Sequence, residues 1–184
     1  MKNRILRAAG LAAAAAGLLA VLPGTANAAI TPTLGSERAT VNGLPSTVSR
    51  GTTVNLVIWY QETSKYNLLS LADGLALEAA GHRNPTTPYK GVSVSMQDPR
   101  DGRWTSAPFV IYGGYQLALG TGVKTTPGYW AHVNVRISFT SAAYTGSWQL
   151  TPSPAQAYEL LNAKNQNVVG YLNETWPNYT FKVK

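Results

Sequence analysis

The sequence predicts an all-β domain, built as a two-sheet β-sandwich with one short helix, that follows an N-terminal secretion signal. The chain after residue 28 is rich in Thr, Ser, Val, Tyr, Gly and Pro, which is the composition of short strands separated by turns. Its clearest segments alternate between apolar and polar residues, the period of a strand with one buried face. About eight such segments follow one another at the spacing typical of a sandwich.

The N-terminus has the three parts of a cleavable secretory signal. A basic start, Lys2 to Arg7, precedes an apolar, alanine-rich run over residues 8–22. Ala26-Asn27-Ala28 then supplies the small-x-small pattern that a signal peptidase accepts, so cleavage is predicted between Ala28 and Ala29. The apolar run is short for a membrane span, which needs ~20 apolar residues. We therefore expect a signal peptide over residues 1–28, a secreted, extracellular product and no stable membrane insertion after processing.

The rest of the chain suits a loose leader over residues 29–36 and a single β-sandwich domain over residues 37–184. Removing the signal takes three of the 15 Lys and Arg residues, which leaves 12 against 8 Asp and Glu and a net charge of +4. The basic residues are scattered, so nucleic acid is not an expected partner. The sequence has no cysteine, which excludes disulfide-framed inhibitors and cysteine metal sites.

Alternation places the individual strands. In residues 131–139 the odd positions are apolar, so the polar side chains of His132, Asn134, Arg136 and Ser138 are predicted to face outward. A second strand is predicted from about Thr52 to Tyr60. Residues 91–97 also alternate well, and weaker strands are predicted over residues 39–41, 115–119, 147–151, 168–172 and 179–183. The side chains of Trp59, Trp104 and Trp148 are expected in the core.

Asp98-Pro-Arg-Asp-Gly102 predicts a tight hairpin turn, with proline opening it and Gly102 free to take positive φ. Its two carboxylates could share a calcium ion. The alternating acidic spacing of a calcium loop is absent, however, so a plain turn is favoured. No metal site and no cofactor are expected.

One helix is predicted from Ser153 to about Lys164. Ser153 can cap it, Pro154 suits its first position, and Gln156 completes a capping box. The segment from Leu68 to Ala80 is ambiguous, because Leu and Ala favour helix whereas Asp73-Gly74 interrupts one.

Four segments carry a resemblance to a known class of domain. They are Val41-Asn-Gly-Leu-Pro-Ser-Thr-Val-Ser-Arg-Gly51, Gln61-Glu-Thr-Ser64, Asp101-Gly-Arg-Trp104 and Val133-Asn-Val-Arg-Ile-Ser-Phe139. Together they resemble the immunoglobulin-like β-sandwich domains of secreted and wall-associated actinobacterial proteins. The resemblance covers roughly residues 41–149 and implies an immunoglobulin-like fold, an extracellular setting and a non-catalytic role. It assigns no functional residues.

Hydrolytic chemistry has weak support in the sequence. The only histidines are His82 and His132, and no Gly-x-Ser-x-Gly elbow accompanies them, so a Ser-His-Asp triad is not expected. A small β-jelly-roll glycosidase needs two carboxylates ~5–9 Å apart in one cleft. Glu37 is expected at the end of the loose leader and Glu159 in the helix. Glu62 and Glu174 are expected at strand ends, where solvent surrounds them. A glycoside hydrolase therefore stays an alternative, and the protein is predicted not to be an enzyme.

Aromatic residues set among turn formers are the most suggestive feature. They occur in Tyr112-Gly-Gly-Tyr115, Pro127-Gly-Tyr-Trp130 and Trp176-Pro-Asn-Tyr179. Rings on loops can stack on sugars or anchor a partner protein, because they offer a large contact area at low entropic cost. The speculative binding residues are Tyr112, Tyr115, Tyr129, Trp130, Trp176 and Tyr179.

The sequence thus predicts a non-catalytic extracellular module that binds a cell-envelope polysaccharide or an extracellular protein. Binding is expected at one end of the sandwich, where loops cluster. Besides the glycosidase, a structural protein that assembles through exposed strand edges is a second alternative.

Overall fold

A computed structural model describes residues 31–70, 73–110, 113–117, 126–128, 130–153 and 158–184. Within those residues the chain forms thirteen strands and no helix. The strands are β1 (Thr33–Asn42), β2 (Thr47–Val48), β3 (Thr52–Glu62), β4 (Asn67–Ser70), β5 (Asp73–Ala79), β6 (Val92–Gln97), β7 (Trp104–Ser106), β8 (Gly114–Leu117), β9 (Trp130–Phe139), β10 (Gly146–Ser153), β11 (Tyr158–Leu161), β12 (Tyr171–Thr175) and β13 (Tyr179–Val183).

The strands form two principal sheets and one strand pair. The first sheet has six strands in the order β12-β1-β3-β9-β6-β7, and the second has five in the order β2-β13-β10-β5-β8. Strands β4 and β11 pair with each other. Two edge pairings, β1 with β12 and β2 with β13, are parallel, whereas the other pairings are antiparallel.

The strand order is that of a constant-type immunoglobulin sandwich. Such a domain pairs its first, second, fifth and fourth strands in one sheet and its third, sixth and seventh in the other. Strands β1-β3-β9-β6 reproduce the first set, and β5-β10-β13 reproduce the second. The remaining strands are additions at the edges or in the connections. The predicted immunoglobulin-like sandwich is therefore confirmed, without the predicted helix.

One hydrophobic core lies between the two sheets. Most inward residues of both sheets belong to one cluster, in which Phe139 of the six-stranded sheet meets Trp148 and Phe181 of the five-stranded sheet edge to face, with ring centroids 5.5 and 5.9 Å apart. Such contacts are the preferred geometry of aromatic pairs. Leu172 on the edge strand β12 belongs to a second, smaller cluster with Leu160. The side chain of Trp148 is 1% exposed, which confirms its predicted core position.

The predicted hairpin is also confirmed. Strands β6 and β7 pair across the Asp98–Gly102 turn, in which the amide of Gly102 donates to the carbonyl of Asp98 at 2.8 Å. Gly102 has a φ of 72°, the left-handed conformation that its lack of a Cβ allows.

The helix prediction is wrong where the structure describes that segment. Ser153 ends β10, Tyr158–Leu161 is a strand paired with Asn67–Ser70, and residues 154–157 lie outside the described residues. The capping signal was local, whereas the pairing partner comes from a distant part of the chain. The ambiguous segment contributes the end of that partner strand, through Ser70, and β5 over Asp73–Ala79.

The prediction of a loose leader is wrong for residues 33–36. Strand β1 begins at Thr33, and its first half pairs with β12 from Tyr171 onward. This pairing satisfies backbone groups that a loose segment would leave to water. The predicted signal peptide over residues 1–28 and its cleavage site at Ala28 and Ala29 lie outside the described residues. Among the described residues, no helix has the length and apolar character of a membrane span.

Candidate binding face

The outer surface of the six-stranded sheet carries aromatic rings, side-chain amides and guanidinium groups. Because side chains alternate along each strand, the residues between the core positions all point to this surface. We call it the tryptophan face and define it by Arg38, Asn55, Trp59, Gln61, Gln97, Trp104, Trp130, His132, Asn134 and Arg136. The outward positions predicted for His132, Asn134, Arg136 and Ser138 on β9 are confirmed.

Arg38, Gln61 and Trp130 form one row of the face. Gln61 lies opposite both neighbours, on β1 and β9. The Nε of Arg38 donates to the Oε1 of Gln61 at 2.6 Å, and its guanidinium carbon lies 5.5 Å from the centre of the Trp130 ring. This distance is within the range of a cation–π contact. Trp130 is nevertheless 45% exposed, so its ring remains open to a ligand.

The next row holds Trp59 on β3 directly opposite His132 on β9. Their ring centroids are 4.6 Å apart at an interplanar angle of 33°. Cross-strand aromatic pairs of this kind stabilise sheets. The half-buried ring of Trp59 and the exposed ring of His132 therefore lie beside Trp130.

Arg136 and Trp104 form the second arginine–tryptophan pair of the face. The guanidinium carbon of Arg136 lies 3.7 Å from the centre of the Trp104 ring, and its Nε donates to the Oδ1 of Asn55 at 3.1 Å. Ser95, on the intervening strand β6, lies opposite Arg136. Its small side chain leaves room for the arginine to lie flat across the strand.

Two side-chain amides of the face are also held by hydrogen bonds. The Nδ2 of Asn134 donates to the Oε1 of Gln97 at 2.8 Å, and the Nε2 of Gln97 donates to the carbonyl of Gly102 at 2.8 Å. The face therefore consists of rings, amides and guanidinium groups held by one another. Fixed orientation lowers the entropy lost when such groups bind a ligand.

Acidic side chains are absent from the described outward positions of five strands of this sheet. No outward position described on β1, β3, β9, β6 or β7 holds Asp or Glu. Arg38 and Arg136 therefore give the face a positive charge that no carboxylate on these five strands offsets.

Of the predicted loop aromatics, the structure describes Tyr115, Trp130, Trp176 and Tyr179, and their surroundings differ. The prediction that Tyr115 offers a ring on a loop is wrong. Tyr115 lies in β8, is 4% exposed and belongs to the core. Burial raises its pKa to about 12. Tyr179 is half-buried against the core, and its hydroxyl accepts the amide of Val41 at 3.0 Å. Trp176 is half-buried as well.

Trp130 is the only predicted binding residue that the described part of the chain places on the tryptophan face. Tyr112 and Tyr129 lie outside the described residues. The binding role of all six predicted residues stays a prediction.

Sequence reasoning missed Trp59 and Trp104, which were expected in the core. Both are half-buried on the outer surface. For Trp59 the signal was present, because it alternates out of phase with Val54, Leu56 and Ile58. For Trp104 the signal was absent, since β7 spans only three residues and its orientation depends on the pairing with β6.

Two glutamates lie beneath the face, on the inner side of the same sheet. Glu37 on β1 and Glu62 on β3 are directly opposite each other and are 3% and 2% exposed. The expectation that Glu37 lies in a loose leader and Glu62 at a solvated strand end is therefore wrong. The alternation of β3 continues through Ile58 and Tyr60 to Glu62, so the last residue of the strand also points inward.

Burial raises the pKa of Glu62 above its ordinary value of 4.5, while hydrogen bonds from Ser64 and from the main chain of Gly128 act in the opposite direction. Its Oε1 accepts the amide of Ser64, and its Oε2 has no hydrogen-bond partner among the described residues. A carboxyl group in such surroundings favours its protonated form.

The glutamate pair does not match a glycosidase cleft. Both carboxyl groups are almost wholly buried, whereas a glycosidase presents its two carboxylates to a bound sugar. Among the described residues, no group of three or more His, Asp or Glu side chains is arranged to hold a metal ion.

Comparisons with known proteins support the fold only. No family model matches the chain, and no curated protein matches it in sequence. Among solved structures, it is similar to AvmM, which catalyses macrocyclization in alchivemycin A biosynthesis, with a TM-score of 0.52 and 12% identity over 83% of this chain and 91% of that chain.

Two further structures are less similar. The seventh ScaB type I cohesin from Pseudobacteroides cellulosolvens has a TM-score of 0.44 and 12% identity over 81% of this chain and 92% of that chain. The CARDB domain of PF1109 from Pyrococcus furiosus has a TM-score of 0.40 and 11% identity over 83% and 97%. At these values the comparisons carry no argument about function, which has to be argued from the chain's own surface.

Proposed function

We propose that this protein is a secreted, non-catalytic module that binds a cell-envelope polysaccharide through the tryptophan face. The observation that supports the proposal is the combination of three tryptophans with amide and guanidinium groups on one sheet surface, where no described outward position of β1, β3, β6, β7 or β9 holds a carboxylate. Secretion rests on the predicted signal peptide over residues 1–28.

The chemistry of the face suits sugars. The faces of hexose rings are lined with C–H groups that pack on aromatic rings, and their hydroxyls pair with amides and guanidinium groups. Trp59 and Trp130 lie on adjacent strands, two residues apart in register. They are therefore separated by ~5 Å across the sheet and ~7 Å along it. Neighbouring sugar units of one chain can contact both rings.

A polysaccharide fits this surface better than a protein partner does. The face is a broad sheet surface whose rings are separated by polar side chains, whereas a protein interface usually centres on a contiguous apolar patch. Capture of an extracellular protein by the same residues is the alternative outcome of the test.

The test compares two tryptophan variants with a variant of the other sheet. Trp59→Ala and Trp130→Ala are expected to lower the affinity for the bound polysaccharide by at least about tenfold each, the effect of removing a residue worth about 1.4 kcal/mol. Gln149→Ala, on the outer surface of the five-stranded sheet, is the control and is expected to bind like the wild type.

Affinity electrophoresis through gels that contain soluble envelope polysaccharides measures the effect. Thermal unfolding shows whether each variant is folded. Equal retention of both tryptophan variants and the wild type would exclude the tryptophan face. Release of reducing sugar that Glu62→Gln abolishes would instead support the glycosidase alternative.

A further inference from the structure

We infer that the polysaccharide bound by the tryptophan face is anionic, with carboxylate or phosphate groups that pair with Arg38 and Arg136. The inference rests on the proposed function and specifies its ligand class. It is drawn from the way in which the two guanidinium groups are held.

Both arginines are oriented in the same manner by different residues. Each Nε donates to a side-chain amide oxygen, at 2.6 Å for Arg38 and 3.1 Å for Arg136, and each guanidinium lies over a tryptophan ring. These contacts use the Nε–H and one face of the guanidinium plane. The Nη groups remain as donors, and their fork geometry matches the two oxygens of a carboxylate or phosphate.

Neither arginine is neutralised within the described part of the chain. The salt bridge in the β6–β7 turn joins Arg103 to Asp101 and involves neither of these two arginines. Surface arginines usually lie near acidic side chains, which reduces the repulsion between like charges. Two oriented cations on a surface without carboxylates therefore create a positive potential that attracts an anion.

The spacing of the two cations indicates a polymer. Arg38 is level with Gln61, and Arg136 is level with Asn55, six residues earlier on β3. At the rise of an antiparallel strand this separates the two positions by ~20 Å along the sheet. A single charged sugar cannot reach both, whereas a chain with repeated acidic groups can. Such a chain would cross the Trp59–His132 pair between them.

The experiment measures binding to three soluble polymers of similar length. Polygalacturonate carries carboxylates, a glycerol-phosphate teichoic acid carries phosphodiesters, and dextran is neutral. The wild type is expected to bind at least one anionic polymer about tenfold more tightly than dextran. This preference should weaken as salt is raised above the physiological range, because salt screens exposed charges.

The matched variants carry the same change in charge. Arg38→Gln with Arg136→Gln is expected to lower the affinity for the anionic polymer at least about tenfold and to remove most of its salt dependence. Arg50→Gln with Arg83→Gln removes two exposed arginines that lie outside the face and is expected to bind like the wild type. Thermal unfolding shows whether both double variants are folded.

Each outcome has a defined meaning. Preference for polygalacturonate identifies a uronate-bearing ligand, preference for teichoic acid identifies a phosphate-bearing one, and equal binding of both supports the shared chemistry. If dextran binds as tightly as the charged polymers and Trp130→Ala abolishes that binding, the proposed function stands and the inference fails. If none of the three polymers binds, both fail. Equal losses in the two arginine double variants would show that net charge alone is responsible, which also overturns the inference.

Discussion

The two outer surfaces of the sandwich differ sharply although their strands alternate in the same way. The outer surface of the six-stranded sheet carries three tryptophans, a histidine and two arginines. The outer surface of the five-stranded sheet presents small and polar side chains with one acidic and one basic residue, and its described outward positions hold no aromatic ring. The side chains at those positions are those of Thr47, Ala76, Glu78, Gln116, Ser147, Gln149, Thr151, Thr180 and Lys182.

The contrast shows which positions of the sheets are constrained by folding and which are not. The inner sides of both sheets contribute to one core, so folding constrains their residues. The outward positions of both sheets are free of that constraint, and the five-stranded sheet shows that small polar residues suffice there. The tryptophans of the other sheet therefore need an explanation besides folding, and ligand binding supplies one.

The largest expected effect is on the free energy of unfolding, when a buried tryptophan is replaced rather than an outward one. Trp148→Ala is expected to lower the free energy of unfolding by ~3–5 kcal/mol, because it leaves a cavity between the sheets. Trp59→Ala is expected to cost about 1 kcal/mol, the typical value for a point mutation. Urea unfolding followed by circular dichroism measures both, and Trp148→Phe serves if the alanine variant does not fold. Equal costs at the two positions would mean that the face is structural.

A second prediction concerns the inner side beneath the face. Because burial raises the pKa of Glu62, the folded-state pKa exceeds the unfolded value. Its stabilising contribution is thus fully present below the unfolded pKa and is lost as the pH rises through the folded pKa. Glu62→Gln keeps an acceptor for the Ser64 amide, and it is expected to be more stable than the wild type at about pH 7 and to lose this part of the pH dependence.

Denaturation midpoints between about pH 4 and about pH 8 measure this effect. Glu78→Gln, which makes the same substitution on the outer surface of the five-stranded sheet, is the control. If the face acts independently of the glutamates, Glu62→Gln also leaves polysaccharide affinity unchanged. A wild-type pH profile retained in Glu62→Gln would show that Glu62 does not carry the effect.

The smallest expected effect is the coupling between Arg136 and Trp104. A double-mutant cycle with alanine at both positions is expected to give a coupling energy of ~0.5–1 kcal/mol, the range of exposed cation–π pairs. Glu78 and Gln149, directly opposite on the other sheet, form the comparison cycle and should couple more weakly. Urea unfolding measures the four variants of each cycle. Absence of coupling would show that the stacking does not stabilise the arginine.

Much of the fold could be predicted from residue alternation, and much of the candidate site could not. The outward residues of β9 and the β6–β7 turn depend on short-range patterns, so the sequence contains enough information to place them. The helix predicted from Ser153 failed because local capping chemistry competes with strand pairing to β4, which no local pattern reveals.

The site shows the same division between local and long-range information. Trp130 could be singled out from its place beside turn formers. Its pairing with Arg38, and that of Arg136 with Trp104, arises from the register of strands that are far apart in sequence. The burial of Glu37 likewise depends on β12, which covers the outer edge of β1.

The six-stranded sheet has a geometric consequence for the form of its ligand. Neighbouring strands in a sheet are rotated by ~20–25°, so the three steps from β3 to β7 turn the surface by roughly 60–75° between Trp59 and Trp104. A rigid planar surface, such as the side of a crystalline fibre, can touch only part of such a propeller-shaped platform. A hydrated, flexible strand can wind along it, so we expect the protein to recognise gel-like rather than crystalline material.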